Sequence, residues 1–362
     1  MKVLFICNHR PNRSPGQRFR FEQYLNHLAE NGITYDLSFI LNEKDDKVLY
    51  LKGKYLQKAL IFIKSYFIRF KDLLRANQFD IIFIYREAIL TRSTIFEYLL
   101  SKTKAKLILD FDDAIWLPNI SEQNKKLEWI KNYDKTSQIA KLADTVIVGN
   151  AFLKNYALNY NNSVIIIPTT IDTSYHVPFK KTKESICIGW TGTSTTIKHF
   201  ELIIPVLKKL KEKYGQKIYF KLIGDANFKS SEIEIKTMPW KLETEIEDLQ
   251  EIDIGIMPLP DDEWSKGKCG FKGLQYMSLE IPTIMSPVGV NTEIIEDGKN
   301  GLLASSEKEW INKLSSLIES EELRIRLGKE GRKTVLEKYS VVSQKEKYLS
   351  IFNSLVSNSV II

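Results

Sequence analysis

Residues 186–198 read ICIGWTGTSTTIK. An apolar, β-branched run from Ile186 to Trp190 gives way to a turn of small residues, Gly192 to Thr196, and then to a helix that opens with Lys198. Strand, tight turn and helix in that order begin a βαβ unit. The segment decides the fold because a full series of such units already precedes it. Upstream, short apolar runs at Val3–Cys7, Thr34–Ile40, Ile81–Tyr85, Leu107–Phe111, Thr145–Val148 and Val164–Ile167 alternate with amphipathic stretches. Residues 1–170 therefore predict one doubly wound domain, and Asp172–Glu184, with Pro178 and a lysine cluster, reads as a hinge.

Downstream the alternation repeats, with a helix expected over Lys198–Tyr214 and strands at Ile218–Ile223, Ile233–Thr237, Ile252–Met257 and Thr283–Met285. Residues 185–340 form a second such domain, and a closing helix over about 341–362 could pack back on either half, the first among them. The fold class is α/β, as two Rossmann-like doubly wound domains. Open sheets of this kind bind ligands beyond the carboxyl ends of their strands, so the two halves should face each other across a cleft.

Bulk properties narrow the chemistry. A chain of 362 residues, 43% hydrophobic, can bury two cores. The start MKVLFICNHR breaks into polar residues too soon for a signal peptide and reads as a strand. Cys7, Cys187 and Cys269 lie far apart with no metal-ligand spacing, which fits a reducing compartment and a cytoplasmic location. A net charge of +7 favours anionic ligands. No nucleic-acid reading motif accompanies it, so nucleic acid is not an expected partner.

The turn at Gly192 and Thr193, followed by Lys198, offers backbone amides and one cation to a phosphate. It has neither the GxxxxGK[ST] nor the GxGxxG pattern, so ATPase and dinucleotide readings lose their best support. A later block, GKCGFKGLQYM at 267–277 and then EIPTIMSPVGVNTEII at 280–295, reads as loop, helix, buried strand and a glycine turn into another helix. Lys268 and Lys272 can point at a ligand, while amides across Val290, Asn291, Thr292 and Glu293 would supply the positive end of a helix dipole. Together they describe a socket for a dianionic leaving group.

Here the chain resembles the retaining glycosyltransferases of family 4, which have the GT-B fold. The resemblance is densest from Gly189 to Leu303, where DIGIMPL at 253–259, the two blocks above and EDGKNGLL at 296–303 follow in the family's order. It implies a nucleoside-diphosphate sugar as donor, a saccharide or polyprenyl-linked hydroxyl as acceptor, retention at the anomeric carbon, and no cofactor or divalent metal. It also implies that Lys198 and a basic residue of the 268–272 loop contact the diphosphate. Gln275 would face the ribose, Trp240 would lie beside the base, and Gly16 and Arg18 of the first-strand loop would reach the cleft. Many members carry two glutamates eight residues apart. This chain has Gln275 at the second place and Gly267 or Lys268 near the first. Two rivals remain open at this point: a nucleotide-sugar 2-epimerase of the same fold, and a non-catalytic binding subunit.

In the first half, Asp110, Asp112 and Asp113 end a strand. Asp110-x-Asp112 matches a metal-binding DxD, but two doubly wound halves favour an acceptor-orienting or general-base role for Asp112 or Asp113. Residues 47–75 hold eight Lys or Arg and one acid, Asp72, interleaved with aromatics. That composition suits either an interfacial helix on an anionic membrane surface or a helix whose aromatic stripe is core.

Overall fold

A computed structural model describes residues 1–49, 51, 53–118, 132–179 and 184–357. The chain divides into two compact units, Met1–Pro168 together with the chain from Gln344 onward, and Thr169–Ser343.

The first unit is built on β1 (Lys2–His9), β2 (Thr34–Leu41), β3 (Ile81–Tyr85), β4 (Lys106–Phe111), β5 (Thr145–Val148) and β6 (Val164–Ile166). All pair in parallel, in the order β2-β1-β3-β4-β5-β6. Helices cover both faces of such a sheet, so its inner strands are apolar throughout: every residue of β3 and β5 is buried. Edge strand β2 is half-buried along its first half instead. The closing helix, Val341–Ser357, packs its aromatics here. Tyr348 stacks on Tyr24 at 4.4 Å between ring centroids, and Phe352 lies parallel to Phe83 at 6.2 Å. The end of the expected helix, 358–362, lies outside the described residues. So do 180–183 of the expected hinge, and Tyr50 and Lys52 of the basic, aromatic segment.

The second unit holds β7 (Ile186–Thr191), β8 (Ile218–Gly224), β9 (Lys236–Pro239), β10 (Ile254–Met257), β11 (Thr283–Met285) and β12 (Leu302–Leu303). They too are parallel, in the order β12-β11-β10-β7-β8-β9. Two expectations shift, and one strand is added. The helix expected over Lys198–Tyr214 is two helices, Ile197–Glu201 and Ile204–Tyr214, because Pro205 lacks an amide and fits only a first turn. The strand expected at Ile233–Thr237 is β9, displaced toward Pro239, with Ile233 and Ile235 half-buried against the core instead. Leu302–Leu303, too short for a periodic signal, extends the sheet as an edge.

The strand orders locate the ligand-binding edge of each unit. In the first, the chain runs from β1 outward to β2 and returns to β3 on the other side. In the second, it runs from β7 through β8 to β9 and returns to β10. The loops leaving β1 and β3, and those leaving β7 and β10, therefore diverge and open a crevice at the carboxyl edge.

Candidate functional site

In the second unit, the helix after the β7 turn carries His199, a buried ring whose Nδ1 has no hydrogen-bond partner among the described residues. Burial, then the like charges of Lys272, Lys268 and Lys198, push its pKa down to about 4, with Asp262 opposing. One imidazole thus feels all three sequence-predicted lysines, although they come from two segments some seventy residues apart (~70). Lys198 is exposed on its short helix. Lys272 Nζ lies 4.7 Å from the ring centroid of buried Trp190, and Lys268 Nζ lies 4.9 Å from that of Trp264. Aromatic faces attract these cations through the ring quadrupole.

The backbone amides that the sequence offered to phosphate are mostly used within the protein. Gly192 donates to Ile223 O at 2.9 Å, and Thr193 donates to Thr196 Oγ1 at 3.1 Å in a capping box. Gly192 is instead a close-approach residue: a methyl group on Gly224, which has φ 134°, would lie 1.6 Å from the Gly192 carbonyl oxygen. The helix dipole expected across Val290–Glu293 is corrected as well. The helix is only Asn291–Ile294, and the amides of Asn291, Thr292 and Glu293 donate to Val288 O, Gly289 O and Val290 O at 3.3, 3.3 and 2.9 Å. A single turn has little dipole, and these three amides are already used within the protein. Val290 is buried, while Thr292 and Glu293 are exposed. Asn291 is fully buried, its Nδ2 donating to Ser286 O at 2.9 Å and its Oδ1 lacking a partner among the described residues.

Gln275 is buried in the helix Phe271–Ser278, and its Nε2 donates to Glu245 Oε1 at 3.3 Å. The same oxygen accepts from Trp240 Nε1 at 2.9 Å. Glu245, missed in the sequence, is the centre of this trio. A neutral amide at 275 can donate to it, whereas a second carboxylate could not without a shared proton. Trp240 is half-buried against Ile223, Leu249 and Tyr276 and their neighbours.

In the first unit, the chain leaves β3 through Tyr85 and Arg86, the latter with φ 64°. Arg86 donates from Nε and Nη2 to Asp112 Oδ1 at 3.0 and 2.7 Å and from Nη2 to Asp113 Oδ2 at 2.8 Å. Tyr85 Oη donates to the same Asp112 oxygen at 2.8 Å. Burial alone would raise the Asp112 carboxyl, but the Arg86 and Arg20 charges and these hydrogen bonds outweigh it and hold it below the usual range. A carboxylate stabilised in that way holds a proton only weakly.

Gly16 does permit a close approach, but the neighbour is the protein: a methyl group there would lie 2.0 Å from Tyr85 Oη and 3.1 Å from Asp112 Oδ2. Arg18 is buried with its guanidinium 4.9 Å from the Phe19 ring centroid. Arg20 is buried and pairs with Asp110 through Nε at 3.0 Å and Nη2 at 2.7 Å. Burial pushes Asp110 above the ordinary carboxylate value, with Arg20 pulling against it. The carboxylates of the DxD pattern are thus engaged by guanidinium groups. Before that pattern, His9, Arg10 and Arg13 gather on Asp46. Its burial is outweighed by the His9 and Arg10 hydrogen bonds and the Arg13 charge, which bring it to about 2.

Comparison with known proteins adds to this geometry. Residues 185–320 match the family model Glycosyl transferases group 1. A glycosyltransferase from Rickettsia africae superposes with a TM-score of 0.68 at 15% identity, over 99% of each chain. Anabaena HepE in complex with UDP-glucose does so with a TM-score of 0.69 at 14% identity, over 98% of this chain and 100% of the other. The fold is GT-B. A 65-residue stretch is 35% identical to the poly(ribitol-phosphate) alpha-N-acetylglucosaminyltransferase of Staphylococcus aureus. That match spans 17% of this chain and 13% of the relative.

Proposed function

We propose that the chain transfers a sugar from a nucleoside-diphosphate sugar to a hydroxyl acceptor. What supports this reading is that Lys198, Lys268 and Lys272 all fall within the stretch that matches the group 1 family model, where their like charges, after burial, lower the pKa of His199. As the bond between the anomeric carbon and the diphosphate breaks, negative charge grows on the departing oxygens. Fixed cations placed where that charge develops lower the barrier more than they stabilise the bound donor. Trp240, Glu245 and Gln275 are assigned to the nucleoside end, with the Glu245 carboxylate accepting from hydroxyl groups. In the first unit, Arg86, Asp112 and Asp113 are assigned to orient the acceptor hydroxyl rather than to deprotonate it. The finer reading, supported by the family resemblance, is retention, a lipid-linked saccharide as acceptor in surface-polysaccharide synthesis, and no requirement for a divalent metal.

The test is a thermal-shift panel of nucleoside diphosphates and their sugars, followed by assays with and without a hydroxyl acceptor and with and without chelator. A ligand that binds only the native state stabilises it by about 2.7 kcal/mol at a hundred times its dissociation constant. The expected result is stabilisation by one nucleoside diphosphate and sugar transfer that needs the acceptor. Epimerisation of the donor alone would reassign the chain to the 2-epimerases, and lack of any nucleotide binding would make it a silent subunit.

A further inference from the structure

The helix Tyr55–Arg75 is inside out for a surface helix. Its protein-facing side buries Lys58, Ser65, Arg69 and Asp72 beside Ile61, while Leu56, Leu60, Ile63, Phe67, Phe70 and Leu74 are each more than half exposed. Those six positions are spaced alternately by four and three, so they form one stripe along about 27 Å of helix. Leu56 is 85% exposed and Arg69 is 0% exposed, which removes the alternative that this aromatic stripe is core. On the neighbouring helix, Ile95–Leu100, Ile95 and Tyr98 are exposed too. Tyr66 joins the two helices through its ring contact with Phe96, 5.5 Å between centroids. A contiguous apolar face of this size on a helix is the signature of an interaction surface.

The charges around the face select the occupant. Lys54 and Lys71 are exposed at its two ends, and Lys102 Nζ lies 5.2 Å from the Tyr98 ring centroid. The one acid of the helix, Asp72, is on the buried side, where it bonds Arg69 and Arg75. A second copy of this chain would bring the same cations to the same apolar stripe, whereas a sheet of anionic headgroups above acyl chains complements both. The buried side links this face to the ligand-binding edge. Arg69 donates to Cys7 O at 2.7 Å, to Ser38 Oγ at 2.8 Å and to Ala88 O at 2.5 Å, and so holds β1, β2 and the loop beyond β3.

We infer that the outer face of Tyr55–Arg75, with Ile95 and Tyr98, docks on an anionic lipid bilayer. This deepens the lipid-linked acceptor reading, since it brings the loops of the first unit to the surface on which such an acceptor is carried. The test uses the full chain in flotation with vesicles of phosphatidylcholine mixed with phosphatidylglycerol, and of phosphatidylcholine alone. Wild type should float with the mixed vesicles, less so in high salt, and only weakly with the neutral ones. Leu60→Glu and Phe67→Glu should each weaken partitioning by about ten-fold or more, because each takes one large apolar side chain out of the interface. Lys71→Glu should weaken it by a few-fold, about 3 to 5. All three should keep the wild-type melting temperature and nucleotide-induced thermal shift, so loss of docking is separable from failure of the donor-site reading. Absence of wild type from the mixed vesicles, or flotation unchanged in both glutamate variants, overturns the proposal. A doubled mass by light scattering that Phe67→Glu abolishes would assign the face to a second copy and overturn it as well.

Discussion

The two carboxyl edges use charge in opposite ways. In the first unit, opposite charges are brought together: Arg20 with Asp110, and Arg86 with Asp112 and Asp113. In the second, like charges are brought together, with Lys198, Lys268 and Lys272 all depressing one histidine. Paired charges have spent their electrostatic energy on the fold and give a rigid surface that orients. Gathered like charges repel one another, and an anion bound among them would relieve that repulsion.

That contrast can be broken from either side. The largest effect is expected from Arg20→Leu, which leaves Asp110 buried without its ion partner and should cost about 3–5 kcal/mol of stability in urea melts. If the cost is negligible, the first edge is not held by its pairs. Next is Lys272→Ala or Lys198→Ala, each expected to lower the transfer rate by about 100- to 1000-fold with the melting temperature nearly unchanged. Normal turnover in either variant would remove the leaving-group role.

Gln275→Glu should be milder, about ten-fold weaker nucleotide binding at neutral pH, because it sets a second carboxyl against Glu245 and one of the two must take up a proton. Its signature is recovery of binding as the pH falls, which a variant with a merely damaged core would lack. The smallest effect concerns His199. Its folded pKa of about 4 lies below the ordinary 6.5, so between those values the unfolded chain binds more protons and stability rises with pH. His199→Gln should flatten that slope. A bound diphosphate should raise the His199 pKa, measured by NMR titration of its ring protons, and its affinity should therefore increase as the pH falls through that window.

Some of this was readable along the chain, and the reason is local. Apolar runs such as Ile81–Tyr85 mark strands buried on both faces, and the restart at Ile186 marks a second series of units. Lys198, Lys268 and Lys272 stood out because each follows a turn of small residues. The strand β12 and the break at Pro205 were not visible, the first being too short and the second hidden in a continuous apolar pattern. Arg86, Tyr85, Glu245 and His199 went unnoticed because their roles depend on partners far away in sequence: Arg86 meets Asp112 across 26 positions and Gln275 meets Glu245 across 30.

Periodicity and turn chemistry, both short-range properties of a chain, were enough to establish two parallel α/β units and the cationic character of the second. Which amides remain for a ligand, which carboxylates are held by guanidinium groups, and that a basic aromatic helix buries Lys58, Arg69 and Asp72 while exposing a stripe of leucines and phenylalanines were decided only by tertiary packing. Those outcomes depend on which distant groups share a low-dielectric neighbourhood, and that is a property of the folded arrangement rather than of neighbours in the sequence.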